Sequence, residues 1–357
     1  MPKKVKVGLI GCGAISNWSR IPAYTNDLEN AEVIATCDII KERAESAAKQ
    51  LGAKHVFTDY KDLIALEEVD MIDICGPNFL HSQAAIDGLN AGKHVFTEKP
   101  DAISVEEVLK MAAAHKKSGK HLMSMRNNRY VASSVYLKKY IEEGKCGDLY
   151  AGRCGWLRRR GIPGKGGIFT DKAISGGGPL IDLGVHMIDL AMWFMGNPKP
   201  VSVSGSTYAK FADDDSEADS ANAQFGDANQ DGIFDVEDLC MGFIKFENGA
   251  CLQLEFSWAS NVEKETGFVE MRGTKAGFTW NGTPPAGELA LFTPDAIVHR
   301  PMIKPLLMAH TLNLRHFIDD VIIGGKEPNF TPEQGVNMIQ IIEGLYKSAE
   351  TGKEVVL

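Results

Sequence analysis

Val5-Lys6-Val7-Gly8-Leu9-Ile10-Gly11-Cys12-Gly13-Ala14-Ile15-Ser16 is the stretch whose reading decides the fold. An apolar, β-branched run ends on two closely spaced glycines, and a helix-compatible segment follows. That order of strand, glycine turn and helix opens a dinucleotide-binding βαβ unit. Gly11 permits a sharp turn, and Gly13 lets the backbone approach a pyrophosphate at the helix N-terminus. Ala14 and Ile15 complete the expected cradle, and Ser16 stands where the fingerprint carries Gly or Ala. An ordinary strand–turn–helix would share this local pattern, so the weight falls on what comes after it.

Downstream, Val33-Ile34-Ala35-Thr36-Cys37-Asp38 reads as a second buried strand ending in an acid. Asp38 lies about twenty residues past the glycines, where a carboxylate accepts hydrogen bonds from an adenosine ribose. A carboxylate there repels a 2′-phosphate and favours NAD over NADP, although Lys41 and Arg43 stand close by. Asp38 could equally cap a helix over 41–51, and the two roles are compatible. The pattern then repeats, with a strand over 69–75, a break at Gly76-Pro77-Asn78 and a helix from about His81 to Ala91. A strand over 94–97 closes on Glu98-Lys99-Pro100, and a helix over 105–118 leads to a strand over 121–125. Strands separated by helix-length segments predict a doubly wound parallel sheet, whose ligands lie beyond the C-terminal strand ends. Gly11, Gly13, Ala14, Ile15, Asp38, Pro77, Asn78, His81, Glu98 and Lys99 are therefore the expected cofactor-binding residues. Arg126, Asn127, Arg129 and Tyr130 follow the last of these strands and are expected to meet the substrate.

A chain of 357 residues suits two domains, and the pattern changes after about residue 125. The expected division is 1–125 and 126–357. In the second part strand-like runs crowd together at 149–157, 201–208, 241–246, 250–258 and 268–272. Asn248-Gly249 supplies a hairpin turn between two of them. These runs predict an α+β domain with a large, mostly antiparallel sheet carrying a helix or two on one face, and 311–324 and 332–351 read as amphipathic helices. A net charge of −9 argues against a nucleic-acid partner. Seven cysteines without a Cys-x-x-Cys read as free thiols in a reducing compartment. With neither an apolar leader nor a membrane-length apolar run, a cytoplasmic location without membrane contact is expected.

Two stretches carry candidate chemistry. In Gly176-Gly177-Gly178-Pro179-Leu180-Ile181-Asp182-Leu183-Gly184-Val185-His186, Asp182 and His186 are four apart on one helix face. Polar groups buried on an apolar helix need partners, and a helix cap with one structural hydrogen bond would supply them as well as catalysis does. The second stretch is Glu98-Lys99-Pro100, which alone reads as a surface lysine before a turn.

Taken together, these features resemble the Gfo/Idh/MocA family of sugar and cyclitol oxidoreductases, which includes glucose–fructose oxidoreductase and inositol dehydrogenase. The resemblance spans nearly the whole chain and is most specific at Glu98-Lys99-Pro100 and at the glycine-rich run through Asp182 and His186. It implies an N-terminal Rossmann domain, and behind it a substrate-binding domain whose open-faced sheet makes a homo-oligomer, dimer or tetramer. It also implies Lys99, Asp182 and His186 as the catalytic set of an NAD-dependent dehydrogenase. An imidazole oriented by an acid suits proton abstraction from a secondary alcohol, and Lys99 would stabilise the developing alkoxide. Which of Lys99 and His186 is the base stays open. A non-catalytic NAD-binding sensor and NAD-assisted glycoside cleavage through a transient keto-sugar are the alternatives.

Trp156, Arg158 and Arg160, before the glycine loop 161–167, are further substrate candidates, since an aromatic face with polar groups suits a polyol. Core packing is the other reading of Trp156. The acidic stretch Asp227–Asp238 matches a calcium loop at positions 1, 3, 5, 6, 9 and 12, but a strand follows it and position 12 is Asp. A solvated acidic turn is the simpler reading, and no metal is assigned.

Overall fold

The computed structural model describes residues 4–212, 226–282, 288–304 and 307–357. The chain forms two compact units, Met1–Arg126 with Leu307–Val336, and Asn127–Leu306 with Asn337–Leu357.

The first unit is built on β1 (Val5–Ile10), β2 (Ala31–Cys37), β3 (His55–Phe57), β4 (Met71–Ile74), β5 (His94–Thr97) and β6 (Leu122–Ser124). They pair in parallel in the order β3-β2-β1-β4-β5-β6. Strand order reverses beside β1, so the crevice beyond the C-terminal ends of β1 and β4 is the ligand-binding position of such a sheet. Both faces are covered, and Ile10, Ile34, Ile72, Ile74, Val95 and Leu122 lie in one apolar cluster. Helices at Lys41–Leu51 and Val105–Ser118 have the expected bounds. The second is framed by Ser104, whose hydroxyl accepts from Glu107 N, and by Gly119 in the left-handed conformation, which are ordinary start and stop signals. The helix expected from about His81 starts earlier, at Asn78 (Asn78–Asn90), because Pro77 serves as its N-cap. The three-residue edge strand β3 has too few residues for its pattern to show in sequence.

Packing groups the segment Leu307–Val336 with the first unit, although it follows the second unit's strands in the chain. Its helix Ala309–Arg315 runs on as a π-helical turn His316–Ile323. Leu314, Phe317, Ile318 and Val321 are buried. The Phe317 ring lies 5.4 Å from Phe96 of β5, and Asn313 Oδ1 accepts from Arg126 N at 2.6 Å.

The second unit carries a nine-stranded mixed sheet. It contains β7 (Leu149–Leu157), β8 (Pro200–Tyr208), β9 (Leu239–Phe246), β10 (Cys251–Ser257), β11 (Thr266–Gly273), β12 (Gly277–Asn281), β13 (Glu288–Phe292), β14 (Val298–His299) and β15 (Val355–Val356). Their order is β14-β13-β12-β11-β7-β10-β9-β8-β15. The β7–β10 pair is parallel and the other pairs are antiparallel. The expected hairpin joins β9 to β10, with Gly249 at φ 81°. The helix Val185–Phe194 lies against β7 and β11, and Phe194 meets Phe278 edge-on at 5.4 Å. Alternating burial along β9, β11, β12 and β13 leaves the other face partly exposed, with Tyr208, Met241, Phe243 and Phe292 on the surface.

All seven cysteines are free thiols. No helix among the described residues is long and apolar enough to cross a membrane. The acidic run Asp213-Asp214-Asp215 lies outside the described residues. Replacing Phe317 with Ala should destabilise the first unit by about 3–5 kcal/mol, the usual cost of deleting a buried aromatic ring. Urea unfolding followed by dinucleotide release would measure it. An effect under about 1 kcal/mol would contradict the assignment of 307–336 to that core.

Candidate active site

In the first unit the glycine turn is tight and open on its outer side. Gly11 sits at φ 88°, and a Cβ there would lie 2.6 Å from the backbone of Cys75 and Gly76. A Cβ on Gly13 would meet nothing within 4 Å, and Ala14 is exposed. The site therefore has a bare backbone cradle at a strand-to-helix turn, which fits a pyrophosphate. Ser16, the departure from the fingerprint, is buried, and its Oγ donates to Gly11 O at 2.5 Å. A small polar residue here closes the turn from within.

Asp38 is fixed beside this cradle. Its Oδ2 accepts from Cys12 N at 2.8 Å and its Oδ1 from Ile40 N at 2.9 Å. It is not the N-cap of Lys41–Leu51, which is Ile40. Instead it forms an Asx turn onto the backbone two residues on. Ile39, next in the chain, is 88% exposed. A carboxylate held at the end of β2 beside an exposed apolar side chain fits the adenosine end of a dinucleotide. Pro77 and Asn78 are half-buried beyond β4, and Lys99 is half-buried beyond β5.

Three expected contacts of this unit turn inward. His81 is fully buried, with Nδ1 2.7 Å from Pro100 O and Nε2 2.9 Å from Gly76 O. Burial pushes its pKa below the ordinary value, against the pull of the two carbonyls, and the ring joins two loops without reaching the surface. Glu98 is 5% exposed. Its Oε2 accepts from Lys99 N at 3.2 Å and its Oε1 lies 2.9 Å from Arg20 Nη2. Burial opposes its charge, but Arg20, with His310 and Lys99, holds its carboxyl below the usual range. Arg126 is buried in an ion pair with Asp101, and its guanidinium stacks 4.3 Å from the Phe330 ring.

Beneath Glu98 lies a set that the sequence reading missed. Arg20 donates through Nε to Asp73 Oδ1 and Oδ2 at 3.2 and 3.0 Å, and the Tyr24 hydroxyl donates to Asp73 at 2.9 Å. His310 is half-buried nearby, edge-on to Trp18 at 4.9 Å. Burial lowers its pKa from 6.5 to about 4. Asp73 interrupting the apolar strand Met71–Ile74 was the available signal, since an acid inside a strand requires a partner.

In the second unit a π-helical turn, Leu180–Gly184, leads into Val185–Phe194. Asp182 lies within that turn, and its Oδ2 accepts from the indole of buried Trp258 at 3.0 Å. Within 177–192 His186 alone is not fully buried. Its ring lies 6.2 Å from Trp156, whose face is covered by the Arg158 guanidinium at 5.5 Å. Trp156 is half-buried beside His186. Arg158 also donates to Gly161 O at 3.1 Å, and Arg160 stacks 4.5 Å from Phe211. Asn127 and Tyr130 are half-buried. Arg129, an expected substrate contact, is 1% exposed and bonds Asp189 through two nitrogens at 2.8 and 2.6 Å. It braces the helix Val185–Phe194 through Asp189.

Two acids of the calcium-loop pattern accept backbone hydrogen bonds. Asp235 Oδ1 accepts from Lys172 N at 2.7 Å and Asp238 Oδ2 from Phe211 N at 2.7 Å. Among the described residues no three His, Cys, Asp or Glu side chains gather as a metal site.

Comparison with known proteins agrees with this geometry. Residues 5–125 match the family model described as oxidoreductase family, NAD-binding Rossmann fold, and residues 138–357 match its C-terminal alpha/beta domain. The chain is 33% identical over 361 aligned positions to D-glucoside 3-dehydrogenase of Escherichia coli, covering 99% of this chain and 97% of that protein. An oxidoreductase domain protein from Kribbella flavida superposes with a TM-score of 0.86 at 22% identity, covering 99% of each chain. A levoglucosan dehydrogenase solved with NADH and levoglucosan superposes with a TM-score of 0.84 at 23% identity, again over 99% of each.

His310 sets a pH dependence. Its folded pKa of about 4 lies below the ordinary 6.5, so the unfolded chain binds the proton first as pH falls. Its contribution is complete above pH 6.5 and is lost progressively from there down to about 4. Urea midpoints should therefore fall more steeply across that window in the wild type than in His310→Gln. Parallel profiles would contradict the buried neutral state.

Proposed function

The chain belongs to the Gfo/Idh/MocA oxidoreductase family, and from that premise we propose that it oxidises a secondary hydroxyl of a sugar, glycoside or cyclitol with NAD⁺. The observation that carries the reading is His186, the one partly exposed residue of an otherwise buried segment, close to Asp182 in sequence and beside an aromatic–arginine pair. A buried helix opened only at an imidazole suits a group that must exchange a proton. The end-to-end similarity to a D-glucoside 3-dehydrogenase supports glycosides as the first substrates to test.

Bound NAD⁺ supplies the hydride acceptor. The backbone of Gly11, Gly13, Ala14 and Ile15 holds its pyrophosphate, and Asp38 accepts from the adenosine ribose and disfavours a 2′-phosphate. Pro77 and Asn78 border the same crevice. Lys99, its peptide N–H held by Glu98, stabilises the developing alkoxide. His186 takes the hydroxyl proton in this reading, with Lys99 as the other candidate base. His186 is exposed enough to pass that proton to water. Trp156, Arg158, Arg160, Asn127 and Tyr130 are the proposed sugar contacts, the ring of Trp156 covering an apolar face. The exposed face of the nine-stranded sheet is the proposed contact of a homodimer or tetramer, and a cytoplasmic location matches the free thiols.

NADH formation with a panel of glycosides, free sugars and inositols tests the reading. Tight NADH binding without turnover would favour a sensor, and a cleaved glycoside would favour elimination through a keto-sugar. Lys99→Ala and His186→Asn should each lower kcat by about 10²–10⁴-fold, the range for a lost acid–base or charge-stabilising group, and near wild-type turnover in either would remove that residue from the chemistry. Asp38→Ala should shift the kcat/KM ratio toward NADP⁺ by about tenfold, or about 1.4 kcal/mol. An unchanged ratio would show that Asp38 does not read the ribose.

A further inference from the structure

The acidic stretch that resembles a calcium loop has a different use in the fold. Residues 226–238 lie along the glycine loop and the short helix that follow β7. Asn229 N donates to Lys165 O at 2.9 Å, Thr170 Oγ1 to Ile233 O at 2.8 Å, and Asp235 N to Thr170 O at 3.1 Å. The strap ends in Glu237-Asp238, and both residues act on the surroundings of Asp182.

Glu237 is 8% exposed. Its Oε2 accepts from Gly178 N at 2.9 Å, and its Oε1 accepts from Leu180 N at 3.0 Å and from the Tyr346 hydroxyl at 2.9 Å. Three donors on one buried carboxylate satisfy a charge that would otherwise be costly. This contact explains the glycines. A Cβ on Gly177 would sit 2.1 Å from Tyr346 Oη, and one on Gly178 would sit 2.0 Å from Glu237 O. Gly178 O in turn accepts from Asp182 N at 3.0 Å. Asp238 acts from the other side, because its carbonyl accepts from Trp258 N at 2.9 Å and the Trp258 indole donates to Asp182. One dipeptide therefore holds both the backbone turn that carries Asp182 and the indole that binds its carboxylate.

We propose that Glu237 is a positioning residue of the active site: its carboxylate, braced by Tyr346, fixes the Gly178–Leu180 backbone so that Asp182 and His186 keep their working geometry. The proposal rests on the dehydrogenase reading above.

The test compares Glu237→Gln, Tyr346→Phe, Asp182→Asn and the Asp182→Asn/Glu237→Gln double variant in the full chain. NADH formation from methyl β-D-glucoside, NADH affinity by fluorescence, and hydrogen–deuterium exchange are measured. Glu237→Gln should lower kcat by about ten- to a hundredfold, the scale of a small misplacement of reacting groups. NADH affinity should stay within about twofold, and Tyr346→Phe should show a smaller loss of the same kind. The double variant should be no slower than Asp182→Asn alone, because the two residues act through one element. Exchange should accelerate over 177–186 and stay unchanged over 5–20. Additive losses, a kcat within about twofold of wild type, or an equal loss of NADH affinity would overturn the proposal. If the wild type forms no NADH, the dehydrogenase reading fails separately. The clamp is then judged on exchange, where unchanged protection of 177–186 in both single variants overturns it.

Discussion

The charge of Asp73 is the constraint on which the nucleotide-binding unit depends. A carboxylate in the middle of a fully covered parallel strand has no water, and burial pushes its pKa up. Arg20 and Tyr24 supply the compensating bonds. Removing one partner of such a buried pair typically costs about 3–5 kcal/mol, so the three groups hold one geometry. Arg20 ends the π-helical turn after the glycine cradle, Asp73 lies in β4, and the same guanidinium reaches Glu98 beyond β5. The pair thus ties the pyrophosphate turn to the peptide that presents Lys99.

The second unit applies the same principle with different groups. Asp182 is not a surface cap but an acceptor inside an apolar turn, and its donor is the buried indole of Trp258. That turn lies against the Tyr346 phenol and the Glu237 backbone carbonyl at close range, which is why glycines occupy 177 and 178. His186 then emerges from a segment whose other residues are covered. Reactive groups on rigid elements lose little freedom when substrate arrives, which is the physical advantage of preorganisation.

Much of this was legible in the sequence where a local rule dominates. The glycine turn, Asp38, the helices Lys41–Leu51 and Val105–Ser118, and the Asn-Gly hairpin follow from spacing, capping and turn chemistry. Lys99, Asp182 and His186 were picked out by the family resemblance, since local rules read them equally well as a surface lysine before a turn and a capped, hydrogen-bonded helix face. What local rules do not carry is the direction of a long side chain. Arg126, Arg129, Glu98 and His81 follow strand or loop ends as substrate and cofactor ligands do, yet each meets a partner distant in sequence or a buried carbonyl. The packing of 307–336 was not legible for the same reason, since Phe317 finds Phe96 across more than half of the chain. Asp235 and Asp238 of the calcium pattern accept from backbone donors, and spacing alone does not show those partners.

The division between inward and outward charges narrows the chemistry. Arg126–Asp101, Arg129–Asp189 and Arg20–Asp73 are buried and paired, so their guanidiniums are not available to recognise a substrate. Of the four arginines expected at the substrate, Arg158 and Arg160 are the two outside these buried pairs, each beside an aromatic ring. An arginine lying on an aromatic face presents a flat, amphipathic surface more than a concentrated charge. Such a surface matches the alternating C–H and O–H faces of an uncharged sugar ring better than it matches a phosphate. The same paired arginines that stiffen the fold thus bias the remaining site toward neutral polyols.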